Sequence, residues 1–408
     1  MKMRSHYVAV ILIAISMQAC ARSDTNSELT PVMQDSSGVA IIDFGRVNSD
    51  AVPIWHLDTT PTRLIGRAGQ ENEQFYFIRD LVELPNGNLA VANGGSNEIR
   101  WFGRDGTFIR TSGRSGDGPG EFRGLTGLTL SPPDTLLTYD SSLRRFQVFD
   151  SAGRYTRAFE LHGSGRTISS PEILTVSGTG QLVVRDLRLD APEANAPGLV
   201  RLTYDILLFD RSGLMLDSIA SPSAWQAFNP EPVNGIRVST LAVPFGFNTL
   251  LDATTDQLLL ANTETNEIAA VSLDGRVQRI LRPPITDRIP VSTLDRQVYL
   301  DRALANVPPP AKQMFADIYA QIPIPDTKPR MRWLKATRSG GLWIAAWPPA
   351  DEALGTTLVL DDDWMVVGRL HLPQGFEPFI VFPDRVIGVS TTSSGLEEVH
   401  EYLVVRGR

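Results

Sequence analysis

The sequence predicts an all-β fold, a six-bladed β-propeller with four-stranded blades, and three observations lead to it. Residues 63 to 109 lie over residues 110 to 156 without a gap at a constant offset of 47, and a period of that length marks stacked supersecondary units. Inside each unit, short apolar segments are separated by Gly, Asn and Asp turns, the alternation of antiparallel hairpins. A segment patterned like the end of a unit also stands ahead of the first one, where a closed ring needs a strand to complete its last blade.

The N-terminus precedes this pattern. Lys2 and Arg4 are followed by the apolar run Tyr7 to Ile15, too short to span a bilayer as a helix, and then by small and polar residues up to Cys20. This is the layout of an export signal over residues 1–19. Met17-Gln18-Ala19-Cys20 resembles a bacterial lipobox, which implies lipidation of Cys20; ordinary cleavage nearby, with Cys20 a free thiol, is the plainer alternative. Ala21 and Arg22 carry no acidic retention signal, as in outer-membrane lipoproteins of Gram-negative cells, so the expected location is the outer membrane, on its periplasmic or cell-surface side. Residues 20–37 are polar and read as a flexible tether, with the propeller expected over 38–408. No second cysteine exists, so no internal disulfide can form.

Charge narrows the partners. Removing residues 1–19 takes two of the 38 basic residues and none of the 46 acidic ones, which leaves −10. An acidic body argues against nucleic acid. Contact with the membrane is expected through the lipid anchor alone, and the body is expected to be a monomer.

IWHLDTTPTRLIGRAGQENEQF, ahead of the first unit, has the outer-strand and connector pattern, so residues of about 51 to 68 are expected to close the ring and remove its open edge. The first unit supplies Asn86-Gly87 and Asp105-Gly106, whose residue types accept the positive φ of tight hairpin turns. The pattern returns at QLVVRD (181–186) with LLFDRSGLMLDSI (207–219), and again at 258–275, which overlays 89–106 at an offset of 169. GGLWIAAW (340–347) with TLVLDDDWMVVGRL (357–370) makes the fifth unit, and 384–405 the last.

The stretch GRSGDGPGEFRGLTGLTLSPPDTLLTYDSSLRRFQVFDSAGRY carries a family resemblance. Its glycine-rich connector, Asp140 before the polar break, Arg145 before the next strand, and Phe149 before the turn at Gly153 resemble the NHL-type six-bladed propellers found in many bacterial lipoproteins of unassigned function. The first unit departs, with Asn93 and Glu98 at the Asp and Arg positions. The resemblance implies the fold over about residues 51 to 408; its members include binding platforms, lyases and lactone or ester hydrolases, so it implies no single activity.

Two regions fall outside the unit. Residues 187–200 and 220–240 are rich in Pro, Ala and Asn and are expected to be long loops beside the third blade. Between blades 4 and 5, residues 285–330 hold Met314, Phe315, Ile318, Tyr319 and Ile322 at helical spacing, bounded by Pro308-Pro309-Pro310 and Pro323. A small helical insertion is expected there, as a cap on the rim or as a lid or partner-binding element.

The chemical signals weaken when units are aligned. GRSGDGPG (113–120) lacks the Lys-Ser/Thr of a phosphate loop and aligns with a connector that has lost most of its glycines. Asp361-Asp362-Asp363 aligns with hairpin aspartates of other units and reads as a solvated turn. Asn93, Asp140, Asp186 and Asn262 hold one position in four units; convergence in a ring could make them ligands for Ca²⁺, while the simpler expectation is that each caps its own turn. His56, His162, His371 and His400 stand at unrelated positions, with no HExxH or GxSxG. Most of Trp101, Phe149, Trp343, Trp347 and Trp364 are expected to fill the wedges between blades; any of them exposed at the channel mouth would instead suggest a carbohydrate or peptide platform. No catalytic residue and no cofactor are assigned, Ca²⁺ remaining open. The expected function is an envelope-anchored, non-enzymatic propeller that binds a protein, peptide or glycan partner. The alternative is a cation-dependent, lactonase-like hydrolase or lyase with a site in the central channel.

Overall fold

A computed structural model describes residues 29–66, 71–189, 196–236, 238, 240–285, 287–348, 355–392 and 394–407. The export signal, Cys20 and the first part of the tether lie outside the described residues.

The two halves of the 47-residue repeat fold alike. The first gives strands Ile78–Glu83, Leu89–Asn93, Glu98–Phe102 and Phe108–Ser112, hydrogen-bonded in that order; the second gives Leu125–Ser131, Thr135–Asp140, Arg145–Phe149 and Tyr155–Phe159. Asn93 pairs with Glu98 and Asp140 with Arg145 in matching registers. Gly87 and Gly106 turn the hairpins at φ 82° and 84°, where a side chain would be strained.

Four further sheets follow, built on Glu172–Val176, Thr249–Ala253, Met331–Ala336 and Phe376–Val381 as first strands. The first strands of the six sheets contact one another in chain order, and the sixth returns to the first. This cycle is a β-propeller. Each wedge between neighbouring sheets holds its own hydrophobic cluster. Trp101 and Phe149 fill the wedge of sheets one and two, Trp343 that of five and six, and Trp364 that of four and five, as expected.

The strand count per sheet is less regular than the repeat suggests. Sheets one, two and five have four strands. In the third, Gly198–Phe209 is one long strand: its second half pairs within the sheet, while its first half pairs with Ser223–Asn229. The region 220–240, expected to be loop, therefore contains a strand.

The N-terminal segment runs along the rim as a belt. Val39–Asp43 pairs in parallel with the outer strand of sheet four, and Val32–Ser36 pairs antiparallel with Val39–Asp43. The expected tether of 20–37 is thus corrected: residues 32–36 are a strand, and the ordered body begins before residue 38. Its polar VMQDS composition gave no periodic signal. The belt then crosses sheet five, where Trp55 donates its backbone N–H to the Arg369 carbonyl at 2.7 Å. It reaches sheet six with His56–Leu57 and Arg63–Ile65 on the strand Glu397–Val405, the expected ring closure.

Between sheets four and five stand helices α1 (Thr293–Leu304) and α2 (Lys312–Tyr319). The second carries the apolar spacing read from the sequence, with Ile318 buried. The first was unforeseen because it buries no residue and has no apolar stripe; a Ser292–Asp295 capping box starts it.

Candidate functional site

Antiparallel order sorts the connections onto two faces. Links from first to second and from third to fourth strands leave one face, and within the six sheets these are turns of five residues or fewer. Links between sheets, and from second to third strands, leave the other. The long connections leave from there at Leu187, Ala220, Arg282 and Ala346 and return at Gly198, Thr249, Met331 and Thr356. We call these the turn face and the loop face.

The loop face carries exposed apolar groups. Tyr76 and Phe77 are 50% and 66% exposed, and Leu199, Ile236, Leu294 and Val298 also face solvent. Phe77 adopts φ 60°, a conformation unfavourable for a bulky residue; its repeat counterpart is Gly124.

The helical insertion is held at a narrow neck. Val291 donates to the Asp326 carbonyl at 2.8 Å, and Lys328 to the Ile289 carbonyl at 2.7 Å. The Lys328 ammonium, buried, meets Asp295 Oδ1 at 2.9 Å and lies 5.6 and 5.7 Å from the ring centres of Phe245 and Trp347. Trp347 is half-buried here rather than wedged between blades. Gln321 and Glu231 exchange two hydrogen bonds, at 2.9 and 3.3 Å, and join the insertion to the 221–248 excursion.

The channel is the second element of the site, a cavity of about 850 Å³ lined by first strands of all six sheets. Asp80, Asp252 and Lys335 bring charge into it, as do Arg79, Glu83, Glu172 and Arg338, of which Glu172 pairs with Arg185 and Glu83 with Arg385. Asp80 Oδ1 accepts the Leu81 N–H at 2.8 Å, and Oδ2 accepts that of Leu128, in the next sheet, at 3.1 Å. Asp252 repeats the arrangement between sheets four and five, accepting from Ala253 at 2.9 Å and Ala336 at 2.7 Å. Each carboxylate thereby staples neighbouring first strands. Both retain partial contact with the channel, yet protein surrounds them, and that burial pushes Asp80 up to about 6 and Asp252 upward as well. Lys335 lowers both in part by its charge, and Glu172 raises both.

The four predicted ligand candidates do not point their oxygens at a common centre. Asn93 Oδ1 accepts the Tyr76 N–H at 3.0 Å, and Asp140 Oδ2 accepts the equivalent Arg123 N–H at 2.7 Å. Asp140 Oδ1 also takes Ser142 and Leu143, at 3.0 and 2.8 Å. Asp186 accepts from Ser169 and Ser170, and from Arg166 at 2.7 Å; Asn262 accepts from Glu264 and Thr265. Asn262 serves its own turn, Asn93 and Asp186 the connector that precedes their sheets, and Asp140 both. Among the described residues no group of three or more His, Cys, Asp or Glu could hold a metal ion.

The remaining signals resolve locally. In 113–120, Gly118 donates to Glu121 at 2.8 Å, and Arg145 spans the carbonyls of Asp117, Gly118 and Glu121. Asp361–Asp363 forms a turn, Asp361 Oδ1 accepting from Asp363 and Met365 at 3.1 and 2.9 Å. His56, His162 and His371 are exposed and separate; His400 sits between Glu398 and Tyr402 with contacts of 2.9 Å. Sequence reading missed Asp80, Asp252 and Lys335, because each looks like an ordinary strand residue.

No family model and no curated protein matches the chain, so the NHL-type resemblance rests on the residues quoted above. Solved structures do match in shape. A member of the DUF4221 family from Bacteroides vulgatus is 9% identical, with 87% of this chain and 99% of that one covered and a TM-score of 0.53. A protein from Bacteroides fragilis described as exported is 11% identical, covering 89% and 97%, with a TM-score of 0.48. A calcium-binding regucalcin of Agrobacterium tumefaciens is 13% identical over 86% and 97%, with a TM-score of 0.38. At these identities the likeness concerns the fold alone. No helix among the described residues is long and apolar enough to cross a membrane.

Proposed function

We propose that the chain is an exported, lipid-anchored, six-bladed propeller lipoprotein of the NHL type that binds a protein, peptide or glycan through its loop face and performs no catalysis. One observation carries this reading: every long excursion and the strained, exposed Phe77 emerge on one face, while the opposite face is reduced to tight turns. A rigid ring presenting variable loops is the arrangement of a recognition surface. The oxygens of Asn93, Asp140, Asp186 and Asn262 are engaged by backbone N–H groups, which favours their role as turn caps over that of Ca²⁺ ligands. The anchor at Cys20, the outer-membrane location and the monomeric state belong to the same proposal.

The neck supplies the test. Because 289–291 and 326–328 already pair, residues 292–325 can be replaced by a short Gly/Ser linker, with Lys328→Met so that no buried charge is left alone. The expected result is a folded ring that no longer captures, from envelope extracts, the partner captured by the native chain; Tyr76→Ser with Phe77→Gly should weaken capture without unfolding. Equal capture by the native chain, both loop-face variants and an unrelated propeller would overturn the reading.

A further inference from the structure

We propose that the central channel is a binding site for a small zwitterion of about dipeptide length, its ammonium at Asp80 and its carboxylate at Lys335. This goes beyond the loop-face reading and does not depend on it.

The register fixes where the charges lie along the axis. Asp80 pairs with Ala92, one residue before Asn93, close to the loop face. Asp252 pairs with Leu259 and Lys335 with Trp343, three residues before Asn262 and Ala346. Asp252 and Lys335 therefore share one tier, in adjacent sheets, and Asp80 stands a tier above. Two strand residues separate the tiers along the axis, about 7 Å at the rise of a β-strand. Sheet six stands between sheets five and one, so a molecule that reaches both charges must be at least about as long as an extended dipeptide.

The protein leaves these charges incompletely answered. Among the described residues, the Lys335 side chain makes no hydrogen bond or ion pair, and its effect on Asp80 and Asp252 is through space alone. Each carboxylate oxygen of Asp80 accepts one backbone N–H and keeps a second acceptor site. A lone anion would answer Lys335 and leave Asp80, and a lone cation the reverse; a molecule with both charges at this spacing answers both. Asp252, beside Lys335, favours the charged ammonium. Thr126, Thr129, Thr175 and Thr254 add neutral donors and acceptors to the lining. The volume, about 850 Å³, is in the range of small-molecule sites.

Calorimetric titration of the full chain with glycylglycine tests the site, with acetate, methylammonium and CaCl₂ as probes of one charge sign and glycine as a shorter zwitterion. Glycylglycine is expected to bind at least about tenfold more tightly than any probe of one sign, and Lys335→Met or Asp80→Asn to weaken it about tenfold or more. An ammonium beside Asp80 also favours its charged form, so binding near pH 6 should release protons, read as a dependence of the heat on buffer ionisation enthalpy. Lys335→Met keeps the strand hydrogen bonds, and an unchanged melting temperature without ligand separates lost binding from lost folding; should it fail to fold, Lys335→Gln replaces it. Absence of glycylglycine binding at tens of millimolar, equal binding of acetate, or a Ca²⁺ response lost in Asp252→Asn would each overturn the proposal.

Discussion

The N-terminal belt crosses sheet five between its joints with sheets four and six, and these two joints are built on different physics. At sheet six, Arg63–Ile65 extends an antiparallel ladder, and Arg63 meets Glu401 at 2.6 Å and Glu83 at 3.4 Å. Arg385 closes the square, reaching Glu83 at 2.8 Å and Glu401 at 3.3 Å. Arg63 and Glu83 are 5% and 6% exposed, so this latch between the belt, sheet one and sheet six holds desolvated charge. At sheet four the joint is apolar: Ile42 and Phe44 are buried in the wedge with sheet five, whereas Val32–Ser36 outside them is exposed along its whole length. An added strand can thus be held by ions that must not be separated, or by side chains that could be trimmed singly.

The largest effect is expected where the latch is broken. Glu83→Gln leaves two arginines facing one carboxylate, and the loss of a buried partner typically costs about 3–5 kcal/mol. Urea unfolding measures it; a loss below about 1 kcal/mol would show that the square contributes little to closure. Phe44→Ala should cost about as much, about 3–5 kcal/mol, through the cavity it opens. A much smaller loss would mean that the hairpin is held by its backbone pairing.

Asp80 sharpens the contrast, being a buried charge without an ion-pair partner. Its carboxyl is raised from 3.8 to about 6, so the native state binds the proton more tightly than the unfolded chain. Stability from this group is fully present below about pH 4 and is lost as pH rises through 6, by up to about 1.4 kcal/mol per unit. Asp80→Asn should flatten the stability profile between pH 4 and 7; an unchanged profile would assign the slope to other groups. The smallest effect belongs to the outer strand of the hairpin: Met33→Ser, at a residue 61% exposed, should shift stability by no more than about 0.5 kcal/mol.

Sheets one and two were legible down to their paired residues, because the offset of 47 preserves the register. The channel charges were hidden because they do not occupy equivalent places. Asp80 pairs with Ala92, whose counterpart at the offset of 169 is Ala261, opposite Leu250. Asp252 pairs with Leu259, two residues further along, so no repeat position joins the two aspartates. For Asn262 the contacts lie within its own turn, as read in advance, whereas Asn93, Asp140 and Asp186 also accept N–H groups 16 or 17 residues upstream, which no local reading anticipates. The parallel pairing of 39–43 could not be read in advance, since it joins residues some 240 positions apart with no repeat to announce it. Insertions were visible as breaks in the pattern, and antiparallel order then places them all on one face.

The belt also determines how the ring bears a pull. Traction on the N-terminal end reaches the hairpin on sheet four first, where four residue pairs join Ala40–Asp43 to Arg279–Arg282. Next come Phe44, whose N–H bonds the Arg282 carbonyl at 2.9 Å, and the crossing at Trp55. Only beyond these lies Arg63. The contacts lie in series along the belt, so a pull on the N-terminal end loads the peripheral hairpin before it loads the closure of the ring.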